Sequence, residues 1–175
     1  MRAWLVCLAA LLLSACAGLA PSFDSPSALG PPLERFGADG RISLRQGERS
    51  DHLRFRWDHT PQSDVVLLMS PLGQGLAELT RDAAGARLVR PNQAAIAADD
   101  LPQLVRQVVG APLPLEALAD WLRGARPALR GDAEGWRVVI SDTSALRQHR
   151  LLRVLEASRG DVDLKLIIDD WDVPE

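Results

Sequence analysis

Few side chains in this sequence are both reactive and suitably spaced. The three histidines are His52, His59 and His149, and no two stand at the H-x-x-x-H spacing that places a pair of metal ligands on one helix face. Ser50-Asp51-His52 holds the residue types of a nucleophilic triad. Consecutive strand residues point to opposite faces, so these three cannot converge on one proton path. His52 and His59 flank a strand and are expected at the surface. Asp161/Asp163 and Asp169-Asp170 could act as acid pairs, but a solvated strand edge uses aspartate just as readily. Gly73-Gln74-Gly75 reads as a turn, and the chain has no G-x-S-x-G elbow, P-loop or G-x-G-x-x-G. The two cysteines, Cys7 and Cys16, both lie in the first sixteen residues, which leaves no thiolate for a disulfide or a metal site in the rest. No catalytic residue, metal or cofactor is expected.

Cys16 carries a different chemistry. After Arg2, an apolar run from Trp4 to Leu13 has the length of a signal-peptide core and is too short to span a bilayer. It enters Leu13-Ser14-Ala15-Cys16, which resembles the bacterial lipobox; an ordinary secretory signal with an incidental cysteine is the plainer alternative. The lipobox implies cleavage of residues 1–15, a thioether-linked diacylglycerol on the Cys16 sulfur and a third acyl chain on its new amino group. Two or more acyl chains anchor a protein stably, whereas one binds only marginally. Ala17, where an aspartate commonly retains such proteins in the inner membrane, fits passage to the outer membrane. Residues 16–32 then form a lipidated tether, since Pro21, Pro26, Pro31 and Pro32 among Ala, Gly and Ser oppose regular structure.

A single domain is expected over 33–175. The 175-residue chain is 47 % apolar and 25 % charged, a globular composition. Its 20 Lys and Arg (Lys165 is the one lysine) against 23 Asp and Glu supply no basic excess, so no nucleic-acid partner is expected. Alternation is the dominant signal. Leu53, Phe55 and Trp57 face one way while Arg54, Arg56 and Asp58 face the other. Trp136, Val138 and Ile140 share a face, and 161–169 alternates with one break at Ile167. Less regular candidates at 41–45, 65–70, 76–80, 86–90, 94–97 and 151–157 bring the total to about nine short antiparallel strands in a curved sheet with one wet face.

Two helices interrupt them. Leu101, Leu104, Val105, Val108 and Val109 form a stripe behind Asp99-Asp100, with Pro102 in the first turn and Gly110 as the stop. A second helix runs from about Leu115 to Arg123 and ends at Gly124. The apolar faces either close into a solid core or curl around a hollow one, and periodicity cannot separate the two.

Taken in order, Gly40-Arg41-Ile42-Ser43-Leu44, a strand ending in Trp57, Ser70-Pro71-Leu72-Gly73, Pro112-Leu113-Pro114-Leu115 leading into Leu118, Trp121, Leu122 and Gly124, and a close through Leu164, Leu166, Ile168 and Trp171 resemble the LolB family of lipoprotein receptors. The resemblance covers about residues 33–173. It implies a mainly β (α+β) fold: an unclosed, curved antiparallel β-barrel with short helices as a lid over a hydrophobic cavity. It also implies that Leu72, on a loop between two strands, projects into solvent and delivers cargo to the membrane. The cavity would be lined from Leu53, Phe55, Trp57, Val66, Leu68, Leu104, Val108, Leu118, Trp121, Leu164, Leu166 and Ile168. The implied partners are a LolA-like periplasmic carrier, acylated lipoproteins and the inner leaflet of the outer membrane, with the protein a monomer. A carrier of phospholipid or glycolipid, a tethered assembly module with a filled core, and a hydrolase are the competing readings.

Overall fold

The computed structural model describes residues 29–109, 115–124, 135–147 and 149–174. Cys16, residues 1–28, Pro112-Leu113-Pro114 and the expected stop at Gly110 lie outside these, as does the side chain of Val108.

Nine strands follow one another: β1 (Phe36–Gln46), β2 (Arg49–His59), β3 (Asp64–Met69), β4 (Gly75–Asp82), β5 (Gly85–Val89), β6 (Ile96–Ala98), β7 (Arg137–Leu146), β8 (His149–Arg159) and β9 (Val162–Asp172). Two helices, α1 (Leu101–Val109) and α2 (Leu115–Leu122), stand between β6 and β7. All pairings are antiparallel, in one sheet of order β6-β5-β4-β3-β2-β1-β9-β8-β7. β6 and β7 are its two edges and do not pair, so the barrel is unclosed.

Tight hairpins set the registers. Gly47 and Gly160 take left-handed φ values of 58° and 59° in the turns after β1 and β8, conformations that cost glycine nothing. Asp100 accepts a hydrogen bond from the Gln103 amide at 2.7 Å and so caps α1. Gly124, at φ 80°, follows the end of α2.

β9 departs from the simple alternation at a bulge. Asp39 pairs with Asp170 but Gly40 pairs with Ile168, which leaves Asp169 as the extra residue. The added residue returns Trp171 to the inner side, where its Nε1 donates to the Leu152 carbonyl at 2.9 Å. Two acids of β9 face outward in ion pairs: Arg41 meets Asp169 bidentately at 2.8 and 3.0 Å, and Arg45 pairs with Asp163.

The interior divides into two packed groups. The larger joins β1, β2, β7, β8, β9 and α2 around Phe55, Trp121, Leu155 and Leu164. The smaller joins β4, β5 and α1 around Leu79, Leu88, Leu101 and Leu104. Val66 of β3 touches both. Residues 29–33, expected in the tether, belong to the fold. Leu29 and Leu33 are buried, the Gly30 amide donates to the Arg150 carbonyl at 2.9 Å, and the Leu33 amide donates to the Arg123 carbonyl at 2.8 Å. Two leucines spaced four apart gain more from burial than the two exposed prolines between them oppose.

Gly40 is required for space. A Cβ there would collide with the Ile167 carbonyl oxygen and the Phe55 ring. Gly40→Ala is expected to cost about 1–3 kcal/mol through overpacking, seen as a lowered melting temperature; an unchanged melt would show that β1 and β9 can separate freely here.

Candidate functional site

The apolar stripes of β1 to β5 do not close on one another completely. A cavity of about 480 Å³ lies between the two packed groups. β2 contributes Leu53, Phe55 and Trp57, β3 contributes Val66 and Leu68, and β9 contributes Leu166. Leu104 of α1 and Leu118 of α2 cover it. Eight of the twelve residues expected in the lining therefore border this space. Trp121, Leu164 and Ile168 do not: they are sealed in the larger packed group, where β7 to β9 and α2 close on one another.

Sequence reasoning passed over several lining residues: Ile42 and Leu44 of β1, Leu76, Ala77 and Leu79 of β4, Leu88 of β5 and Leu101. The alternation of Ala77 with Leu79, and of Ile42 with Leu44, was the available signal, weakened by the short strands around it.

The cavity has a closed end and an open one. Along β2, Trp57 and Phe55 are buried, Leu53 and Asp51 are half-buried, and Arg49 is exposed. Exposure thus rises toward the β1–β2 hairpin. At that end the lining turns polar through Gln46, Arg49, Asp51 and Arg90, and Arg49 Nε lies 2.8 Å from Asp51 Oδ2.

The closed end is held by a polar and aromatic cluster. Asp64 is only 2 % exposed. Its Oδ1 accepts from Trp57 Nε1 at 2.9 Å and meets His59 Nδ1 at 2.6 Å, and its Oδ2 accepts from Arg81 Nε at 2.6 Å. Burial opposes ionisation of Asp64, yet the hydrogen bonds from His59, Trp57 and Arg81 outweigh it and hold the carboxyl below its ordinary pKa. Phe36 stacks on His59 with centroids 4.9 Å apart and meets Trp171 edge-on at 5.5 Å. His59, expected at the surface, is buried because β2 continues to that residue and keeps it on the inward phase.

Leu72 lies at the open end. β3 runs from the closed end toward the mouth and β4 runs back, so the loop between them sits on the side of the β1–β2 hairpin. The Gly73 amide donates to the Ser70 carbonyl at 2.9 Å, and the Ser70 amide donates to the Gln74 carbonyl at 2.8 Å. Ser70 Oγ accepts from the Gln74 amide at 3.2 Å. Gly73 takes a left-handed φ of 84°, and Pro71 restricts the residue ahead of the tip. The result is a pinned turn whose apolar side chain is 97 % exposed. One member of each acid pair considered for catalysis, Asp163 and Asp169, is held in an outward ion pair, and His52 meets Ser43 Oγ at 2.9 Å on the exposed face. Among the described residues no group of three potential metal ligands occurs, and no helix is long and apolar enough to cross a membrane.

The family model for outer membrane lipoprotein LolB matches residues 34–171, which is both helices and the sheet up to the last residue but one of β9. The chain belongs to the LolB family. Its relatives include the outer-membrane lipoprotein LolB of Azoarcus sp. (strain BH72), 34 % identical over 97 % of this chain and 94 % of that protein. That of Nitrosomonas europaea is 35 % identical over 79 % of this chain and 73 % of its own length. A solved LolA-superfamily protein from Nitrosomonas europaea superposes with a TM-score of 0.46 at 8 % identity, over 82 % of this chain and 88 % of that one. In this LolB-family domain, the hollow seam and the exposed Leu72 occupy the same end of the barrel.

Proposed function

We propose that the domain is an outer-membrane-anchored, monomeric receptor that takes acylated lipoproteins from a LolA-like periplasmic carrier into its cavity and inserts them into the inner leaflet of the outer membrane. The observation that carries the reading is the pairing of an apolar, one-ended cavity with a fully exposed leucine beside its mouth. An aqueous crossing by a triacylated cargo would expose roughly 45 methylenes, a cost on the order of 35 kcal/mol at about 0.8 kcal/mol each. The chains must therefore pass from shelter to shelter. No chemical step is needed, because each transfer moves them toward a more favourable apolar environment, ending in the bilayer.

The size of the seam sets a condition. A methylene takes up much the same room as a water, about 30 Å³, so a cavity of about 480 Å³ holds about one acyl chain. Accepting three requires the seam to widen.

In this reading Cys16 bears the lipid anchor. The first described residue, Leu29, adjoins Gly30, whose amide donates to the Arg150 carbonyl at the start of β8, at the closed end of the barrel. Anchor and Leu72 thus leave the domain at opposite ends. The thirteen residue-to-residue steps from Cys16 to Leu29 can span at most about 45 Å, and the eleven residues of β1 run about 36 Å. The reach suffices for the mouth to turn back onto the bilayer that holds the anchor.

Cys16→Ala is expected to release the protein from membranes while leaving binding of a synthetic triacylated lipopeptide unchanged. Membrane fractionation reads the first effect and competition with a fluorescent fatty acid reads the second. A domain that binds no lipopeptide would end the receptor reading, and one that stays in the membrane pellet would end the anchor.

A further inference from the structure

A cavity that hands acyl chains to a bilayer needs an edge they can cross without entering water. Three residues of the lining are exposed: Gln46, Arg49 and Leu76. Only Leu76 is apolar. The rest of the exposed rim is charged or amide-bearing, with Arg49 and Asp51 paired along β2, and methylenes passing over that side would be wetted.

The position of Leu76 depends on a local irregularity. Leu68 pairs with Ala77 but Met69 pairs with Gly75, so Leu76 is the extra residue of a bulge. Regular alternation would turn Leu76 outward with Glu78, opposite to Ala77 and Leu79. The bulge brings it to the lining beside Ala77 and still leaves it 38 % exposed. From Leu72 to Leu76 the chain carries no charge, and Met69, Ser70 and Pro71 before it carry none. The mouth therefore has one uncharged side, running from the lining residue Leu68 through Leu76 to the tip at Leu72.

We propose that Leu76 is the exit step of the cavity: a positioning residue over which acyl chains pass from the lining to the bilayer that Leu72 touches. The inference rests on the receptor reading above and deepens it. Leu72 makes contact with the membrane, and Leu76 keeps the path between that contact and the cavity dry.

The test uses the full-length lipidated protein, a triacylated lipopeptide and vesicles of phosphatidylethanolamine and phosphatidylglycerol. Leu76→Ser removes one rim contact of a long lining and should weaken lipopeptide binding about twofold, much less than it slows transfer, and should leave vesicle binding by the soluble Cys16→Ala form unchanged. Single-turnover transfer from loaded protein to vesicles should slow about tenfold, equivalent to two methylenes left in water at the step. Leu76→Met should restore it. Transfer within twofold of the parent overturns the proposal, as does a parallel tenfold loss of lipopeptide binding, which would make Leu76 ordinary lining. If Leu76→Ser does not fold, Leu76→Ala is read by the same three measurements. Leu72→Glu run beside it separates the two levels: normal transfer by Leu72→Glu defeats the receptor reading itself, whereas slow Leu72→Glu with normal Leu76→Ser defeats only the exit step.

Discussion

Leu72→Glu is expected to fold normally, to accept cargo normally and to fail at delivery. The side chain is 97 % exposed, so its replacement removes no packing, and surface changes of that kind stay within about 0.5 kcal/mol. The turn is pinned by backbone hydrogen bonds and by Ser70 Oγ, none of which involves the Leu72 side chain. Delivery is different. Burying a leucine in a bilayer gains about 1.5–3 kcal/mol, and a carboxylate in its place adds a cost of comparable size. The sum corresponds to a loss of about a hundredfold or more in productive membrane contact. The measurement follows a radiolabelled lipoprotein from carrier to receptor to liposomes, with thermal melts as the folding control. The expected pattern is cargo stalled on the receptor. Liposome delivery at the parental rate would remove Leu72 from the mechanism and, with it, the pairing of cavity and tip that carries the receptor reading. With a net charge of −3 the chain has no basic excess to draw it to anionic lipid, so in the proposed receptor membrane contact rests on this tip and on the acyl chains.

The second large effect concerns stability. Asp64→Ala would strip the acceptor from Trp57, His59 and Arg81 together, in a site where the carboxylate is 2 % exposed. Removing one member of a buried charged network costs about 3–5 kcal/mol, because its partners are left desolvated and unpaired. For a domain of this size that is a fall of roughly 10 °C or more in melting temperature. The same group makes stability depend on pH with a definite sign. Its folded carboxyl titrates below the ordinary value. As pH falls, the unfolded chain takes up the proton first, at about 3.9. The Asp64 contribution is whole above that pH and is lost as pH falls through the lower folded value. Denaturant midpoints between pH 3 and 7 should therefore drop more steeply below pH 4 for the parent than for Asp64→Asn. Parallel curves would mean the network contributes nothing through ionisation. The variant should also loosen Trp57, which carries an inner wall of the cavity.

The two helices and nine strands were legible because each has a local cause. Apolar and polar residues alternate through Leu53, Phe55 and Trp57, and their inward direction follows from that alone. Asp100, Pro102 and the leucine and valine spacing make α1. Pro71 and Gly73 on either side of one leucine are enough to place Leu72 at an exposed tip. The misplaced residues share a different character. Leu164, Leu166 and Ile168 lie on one face of one strand, yet only Leu166 borders the cavity. The pattern along β9 is the same at all three; what differs is the residue across the barrel. His59, Asp64 and Arg81 stand on three strands and meet only when β2, β3 and β4 take their register. Leu76 faces the cavity only because a bulge reverses one step of alternation.

What the residues determine by themselves is direction and segmentation: which side of each strand is greasy, where the chain must turn, and that a leucine is held out at one turn. Whether the greasy sides meet is decided elsewhere. A void is the volume left when distant segments fail to fill the space between them, so it belongs to no stretch of chain, and only the folded barrel, open between β6 and β7 and split into two packed groups, leaves that seam hollow beside Leu72.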